Sequence, residues 1–178
     1  KETKKFLPDF RDSTFVALAN IQWIFTEKID GTNFRNFWDG HKLTYGGRTN
    51  NAQFNKKQIE FINKYLVNPE NEELFEQLFG ETEVMVYGEL FGAGINNGGR
   101  YVGGESFDFR VFDIEIGGFF IERGENFDNI CFQLNLASVP ITFVGTLPEA
   151  VELVRKTPTS TFSDAPLEGF VGVPVGGF

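Results

Sequence analysis

Apolar positions recur with period two in some stretches of the chain and with period near 3.6 in others, and the two kinds are grouped rather than strictly alternating. Phe15–Leu18 and Ile21–Phe25 are the first apolar runs, and Phe34 and Phe37 begin the next strand. Asn36–Gly40 reads as a turn, His41–Tyr45 as a return strand, and Gly46-Gly47-Arg48-Thr49 closes it. Residues 51–79 carry the helical period. Ile59, Ile62 and Leu66 form an apolar face that Phe61 and Tyr65 widen, Asn68-Pro69 interrupts it, and Glu70–Phe79 resumes with Leu74, Phe75 and Leu78 before Gly80. These helices are expected to cover a sheet.

Strands resume at Glu83–Leu90, with Val84 and Val86 on one face and Met85, Tyr87 and Glu89 on the other. Gly92–Gly104 is a flexible glycine-rich loop without the strand-to-helix context of a phosphate-binding loop. Phe107–Ile116 alternates aromatic and charged residues, which predicts a strand with Phe112 on the face of Arg110 and Ile114. Gly117-Gly118 turns the chain into Phe119–Ile121. A helix over Glu125–Leu136 aligns Phe127, Ile130, Cys131 and Leu134, and Ile141–Val144 is a short strand. Thr146-Leu147-Pro148-Glu149 is a capping box with proline in the first turn. It starts a helix through Arg155 with Leu147, Ala150, Val151 and Val154 inward. Thr157–Ala165 is a polar loop and Leu167–Val173 the last strand. With no repeated βαβ spacing, the order predicts an α+β fold of antiparallel sheets flanked by helices. No repeat or linker divides residues 1–178, so one domain is expected.

Composition narrows the picture. A chain of 178 residues can bury a sizeable core, and 22 phenylalanines make that core aromatic. The net charge of −9 gives no bulk electrostatic footprint for nucleic acid, so any such contact rests on local basic groups or on parts beyond this chain. The KETKK opening is a small basic tail. The single cysteine, Cys131, rules out an intrachain disulfide and a cysteine-based zinc site, and it falls on an apolar stripe as a core residue. A reducing, cytoplasmic setting is expected. No run of 18 apolar residues points to a membrane. The lone His41, beside an Asp-Gly turn, reads as a surface residue.

The chemistry concentrates in FTEKIDGTNF, residues 25–34. Asp30-Gly31 is a turn dipeptide, because glycine tolerates positive φ and aspartate bonds its own backbone. The turn holds Lys28 at a strand end beside Asp30 and Asn33. Such a lysine is either a nucleophile with its amine made neutral or an exposed hairpin lysine. Glu89, at the end of a buried strand, is either an edge-solvated group or a ligand contact, and Phe112 alone fits core packing.

Four stretches change those odds. EKIDGTNF, GGRT, YGELFG with VFDI, and LEGFVGVP occur in the order seen in the covalent nucleotidyltransferases. Over about residues 20–178 the chain most resembles the ATP-dependent RNA ligases of the phage RNA ligase 2 and RNA-editing ligase group. The resemblance implies a nucleotidyltransferase, or adenylation, domain acting on ATP with Mg²⁺ or Mn²⁺. It implies that Lys28 attacks the α-phosphorus and carries AMP, and that Arg48 contacts the nucleotide or the 5′-phosphate end. Glu89 then contacts the ribose, Phe112 stacks on adenine, and Glu168 lies near the metal. Asn33 sits close to the metal's hydration shell, and the main chain at Glu27 near the adenine edge. The implied partners are RNA ends in nicked duplex RNA or an RNA–DNA hybrid, joined by a monomer.

The chain departs from that family where two lysines in a K-x-K pattern are expected after the E-G-F-V motif: it stops ten residues after Glu168, and truncation before that motif is expected. A DNA ligase, a GTP-using capping enzyme and a non-catalytic nucleotide- or end-binding module of the same fold stay open as alternatives.

Overall fold

The two strands that flank the lysine turn part company and join different sheets. In the computed structural model, which describes residues 10, 12–49, 52–156 and 158–176, β1 (Trp23–Glu27) lies between β8 (Ile141–Gly145) and β9 (Phe170–Pro174) in a three-stranded antiparallel sheet. β2 (Thr32–Trp38) lies between β3 (Leu43–Gly47) and β4 (Val84–Gly92), and the larger sheet continues through β5 (Phe107–Ile116) to β6 (Phe119–Phe120). A short β7 (Ala137–Ser138) runs parallel to β5. The KETKK tail lies outside the described residues.

The lysine turn is therefore a crossover between sheets and not a hairpin. Its glycine is needed for closeness rather than for a left-handed backbone: a Cβ on Gly31 would stand 2.5 Å from the Leu90 carbonyl oxygen and 2.9 Å from Glu89 Cγ. The positive φ expected there is absent.

Among the described residues five α-helices accompany the sheets: α1 (Ser13–Ala17), α2 (Lys56–Tyr65), α3 (Pro69–Phe79), α4 (Glu125–Gln133) and α5 (Leu147–Arg155). Their starts follow from local side chains. Asn55 and Gln58 close a capping box on α2, Asn68 caps α3 with Pro69 in its first turn, and Thr146 and Glu149 form the expected box on α5. The main core lies between one face of the large sheet and helices α2, α3 and α4. There Phe34, Trp38, Val86, Val111 and Ile114 meet Ile62, Phe75, Phe127 and Cys131. Burying each such side chain contributes about 1.5–3 kcal/mol. Trp23 and Phe25 of β1 bury their face of the small sheet with Ala150 of α5. Burial pushes the Cys131 thiol up to about 12, which leaves it an inert core residue.

Several boundaries differ from the sequence reading. β2 runs through Asn36 to Trp38, because Asn36 turns inward between Phe34 and Trp38; the turn is Asp39–Lys42, where Asp39 Oδ1 accepts from the N–H groups of His41 and Lys42 at 2.9 and 2.7 Å. Tyr65 is 52% exposed at the end of α2 rather than part of its buried face. α4 stops at Gln133, since Asn135 takes a left-handed φ of 53°. β9 begins at Phe170 rather than Leu167: the Gly169 carbonyl accepts from Lys28 N–H at the start of the β1 pairing, whereas Leu167 N–H bonds to the Pro158 carbonyl. The Gly92–Gly104 loop is not slack. Ile95 and Tyr101 are buried in it, and Gly98–Arg100 forms a 3₁₀ turn. Among the described residues no helix is long and apolar enough to cross a membrane.

Candidate active site

Between the two sheets lies a cavity of about 280 Å³. Alternation along β1 sends Trp23, Phe25 and Glu27 to the far side of the small sheet, so Ile24 and Thr26 face the cavity, joined by Val171 and Val173 of β9. The large sheet contributes Glu89 of β4 and Phe112 and Asp113 of β5; Lys28, Ile29, Val139 and Arg123 complete the wall.

Phe112 reaches the cavity because of an irregularity in β5. Tyr87 pairs with Asp113 and Gly88 with Val111, so Phe112 is the unpaired extra residue of a β-bulge. The bulge breaks the alternation. Phe109, Val111 and Ile114 are buried in the helix-side core, whereas Phe112 stands half-buried on the cavity side with Ile29, Phe91 and Tyr101. Phe112 thus does not share a face with Ile114, as strict period two predicts.

Lys28 follows β1 directly. Its N–H donates to the Gly169 carbonyl at 2.9 Å, and its ammonium pairs with the Glu168 carboxylate just ahead of β9. The neighbouring Glu27 is buried. It accepts from Ser160 Oγ at 2.6 Å, Thr161 N at 2.8 Å and Thr161 Oγ1 at 2.6 Å. Three donors satisfy a charge that would otherwise be costly to bury. They also fix the Glu27 main chain along the cavity wall.

Glu89 sits opposite Asn33 in the β2–β4 register. Burial raises its carboxyl to about 7, against the opposing pull of the Gly31 N–H and the Lys28 charge. Because the folded value lies above the ordinary 4.5, the unfolded chain gives up this proton first, and stability falls as pH rises from about 4.5 to about 7. Glu89→Gln is expected to melt like the parent at pH 4 and at a higher temperature at pH 8. Equal melting temperatures at pH 8 would contradict the buried environment.

The cavity wall thus contains the main chain of Glu27 with Lys28, Glu89 and Phe112, and Glu168 joins them through Lys28. Asn33 is attached by its backbone pairing to Glu89. Arg48 is not gathered in: it is exposed beyond the end of β3, outside the cavity wall. His41 is likewise exposed.

Other residues at the site left no trace in the sequence pattern. Ser160 and Thr161 lie 133 and 134 positions from the Glu27 they hold, in a loop without periodicity. Asn96 donates to the Gly31 carbonyl at 2.5 Å, Asn97 to Asp30 Oδ2 at 2.8 Å, and the Tyr101 hydroxyl accepts from Asp30 N–H at 3.2 Å. The only sequence signal for them is asparagine-rich turn composition, which marks any loop.

Among the described residues no group of three or more His, Cys, Asp or Glu side chains could hold a metal ion by itself. The donors near Lys28 are the oxygens of Glu168 and Glu89, and Asn33 pairs with Glu89 in the adjacent strand. They suit a hard divalent ion that keeps several waters and takes its remaining oxygens from a phosphate. A second cavity of about 550 Å³, walled by Phe61, Tyr65, Phe107 and Leu136, is larger but brings together no comparable set of reactive groups.

Comparison with known proteins gives a family and a fold. The sequence model of the family described as RNA ligase matches residues 21–174. No curated protein matches the chain. Among solved structures, an RNA ligase of Naegleria gruberi is similar in several forms. A mutant with ATP and Mn has a TM-score of 0.70 at 17% identity, over 93% of this chain and 50% of that one. The protein with PPi gives 0.70 at 18% identity over the same shares. Another mutant, with AMP and Mn, gives 0.71 at 17% identity over 92% and 49%. At such identity the likeness is one of fold, and this chain spans about half the length of the structures it matches.

Proposed function

The chain belongs to the RNA ligase family, and from that premise we propose that it is the adenylation domain of an ATP-dependent RNA ligase, with Lys28 as the nucleophile. The observation that carries the proposal is the meeting of Lys28, Phe112 and Glu89 at one cavity between the sheets, with Glu168 paired to Lys28.

In the proposed first step the neutral Lys28 amine attacks the α-phosphorus of ATP. A P–N bond forms, the bond to the pyrophosphate oxygen breaks, and the amine proton is released. Attack needs the free amine, so the contact with Glu168 opens first. Phe112 offers a ring face to adenine, the Glu27 main chain lies along the base's edge, and Glu89 takes the ribose hydroxyls. Glu168 and Asn33 would hold Mg²⁺ or Mn²⁺, which supplies neutralisation of the phosphate charge. In the second step AMP passes to the 5′-phosphate of an RNA end. In the third a 3′-hydroxyl displaces AMP and seals the strand. Nicked duplex RNA or an RNA–DNA hybrid is the proposed substrate.

Incubation of the full-length protein with α-labelled ATP or GTP, followed by a denaturing gel, tests the reading. ATP-specific label that survives denaturation is the expected result; GTP-specific label would favour a capping-type enzyme, and no label a binding module. Nicked duplexes with RNA or DNA 3′-hydroxyl strands then separate RNA from DNA ligation.

Phe112 gives a second check. Phe112→Ala is expected to weaken ATP binding by about 1–3 kcal/mol through lost stacking. Phe112→Tyr should retain more affinity than Phe112→Leu. If the ring serves packing alone, Leu will be tolerated, Tyr will hurt, and the melting temperature rather than ATP affinity will move.

A further inference from the structure

We propose that Arg100, which stands outside the cavity wall itself, binds phosphate beside the Lys28 turn, as a guanidinium anchored on Tyr101. The assignment rests on the nucleotidyltransferase reading above and adds to it a residue from the loop after β4.

The anchoring is explicit. Arg100 Nη2 donates to the Tyr101 hydroxyl at 2.7 Å, and its guanidinium carbon lies 4.8 Å from the centre of that ring. Its Nε–H is buried without a partner. Tyr101 is itself buried and packs edge-on against Phe91 and Phe162 at 5.6 and 6.0 Å. The side chain therefore has little of the rotamer freedom usual for a surface arginine, and a fixed fork loses less entropy on gripping an anion.

The surroundings explain why the anion is missing from the protein's own groups. The bond to Tyr101 raises the Arg100 pKa most, and the charges of Asp30 and Glu168 add to it, so both carboxylates lie within electrostatic reach. Both are already engaged: Asp30 accepts from Asn97, and Glu168 pairs with Lys28. Among the described residues Arg100 forms no ion pair. A guanidinium held in place, partly desolvated and left without a carboxylate of its own is suited to a phosphate from outside.

The same contacts tie the loop to the nucleophile. The Tyr101 hydroxyl that receives Arg100 also receives the Asp30 N–H, two residues after Lys28. Gly98, one turn earlier, passes so close that a Cβ would stand 2.9 Å from the Asp30 carbonyl oxygen. Phosphate on Arg100 and the placement of Lys28 thus share one hydroxyl.

Two phosphates could occupy the position: the β,γ-phosphates of ATP, or the 5′-phosphate of an RNA end. Calorimetric titration of the full-length protein with adenosine, AMP and ATP, and with 5′-phosphorylated and 5′-hydroxyl RNA, distinguishes them. If ATP is the source, Arg100→Gln weakens ATP roughly tenfold or more while adenosine and AMP are unchanged. If the RNA end is the source, nucleotide affinities hold and the preference for 5′-phosphorylated RNA falls by a similar factor. Arg100→Lys should recover part of either loss. Tyr101→Phe, which keeps the ring and removes the acceptor, should reproduce part of it. Unchanged ATP-to-AMP and phosphoryl-to-hydroxyl ratios in Arg100→Gln, with binding by the parent protein intact, would overturn the assignment alone. A parent protein that binds none of these ligands would overturn the underlying reading with it. Should Arg100→Gln melt early, the Arg100→Lys ratios decide, because a purely structural role would leave them at the parent values.

Discussion

Lys28→Ala is expected to abolish covalent labelling by ATP in the full-length protein while leaving the fold intact. The side chain is half exposed and packs into neither core, so its removal leaves no cavity. Its main-chain bond to Gly169 survives the substitution. No other residue between Glu27 and Phe34 has an amine, so no neighbour can replace it. Arginine restores the charge and not the chemistry, because a guanidinium stays protonated and cannot attack phosphorus. Lys28→Arg should therefore label no better than Lys28→Ala. Loss of a covalent nucleophile removes the intermediate altogether, so the expected signal is background in a denaturing gel. Persistent acid-labile label in Lys28→Ala would move the nucleophile elsewhere.

Glu168→Gln is expected to slow adenylation by about a hundredfold with little change in stability. Two effects oppose each other. The substitution frees Lys28 from its carboxylate partner, a contact that otherwise opens before attack. That gain is small: side chains 50% and 32% exposed form a pair worth about 0–1 kcal/mol. The loss is larger. Glu168 would hold the divalent cation that neutralises the charge attack places on the α-phosphate and the departing pyrophosphate, and weakening one fixed electrostatic contribution at such a site commonly costs about 2.7–4 kcal/mol. The second effect wins. Single-turnover labelling rates at limiting and at saturating Mg²⁺ check it. Unchanged rates at limiting Mg²⁺ would remove Glu168 from the phosphate site.

Much of the fold was legible because local signals agreed with one another. Thr146–Glu149 starts the helix it was expected to start, Asn68-Pro69 separates the two helices it was expected to separate, and β5 spans the predicted Phe107–Ile116. The failures have a common cause: they turn on relations between distant residues. The lysine turn looked like a hairpin because Asp-Gly between two aromatic runs is a hairpin signal. Which sheet each strand joins depends on β8 and β9, more than a hundred residues later. Period-two alternation put Phe112 with Ile114, and a single unpaired residue reversed that. The bulge is also what turns Phe112 from the core towards the cavity.

The site was legible as a set of candidates. Pattern alone left Lys28 and Glu89 open between site and surface roles and put Phe112 in the core; the resemblance to the nucleotidyltransferases singled them out. What fixes them was not visible. The triple bonding of Glu27 by Ser160 and Thr161, and the grip of Asn96, Asn97 and Tyr101 on the turn, use common polar residues in loops. Such residues carry no period, and their partners are set by topology.

Covalent adenylation of Lys28 is read out by peptide mass spectrometry of the full-length protein after incubation with ATP and Mg²⁺. The expected product carries one adenylyl group per chain, on the peptide containing Lys28, and loses it when pyrophosphate is added back. An adenylyl group on any other residue, or none on a folded protein that binds ATP, would contradict Lys28 as the nucleophile.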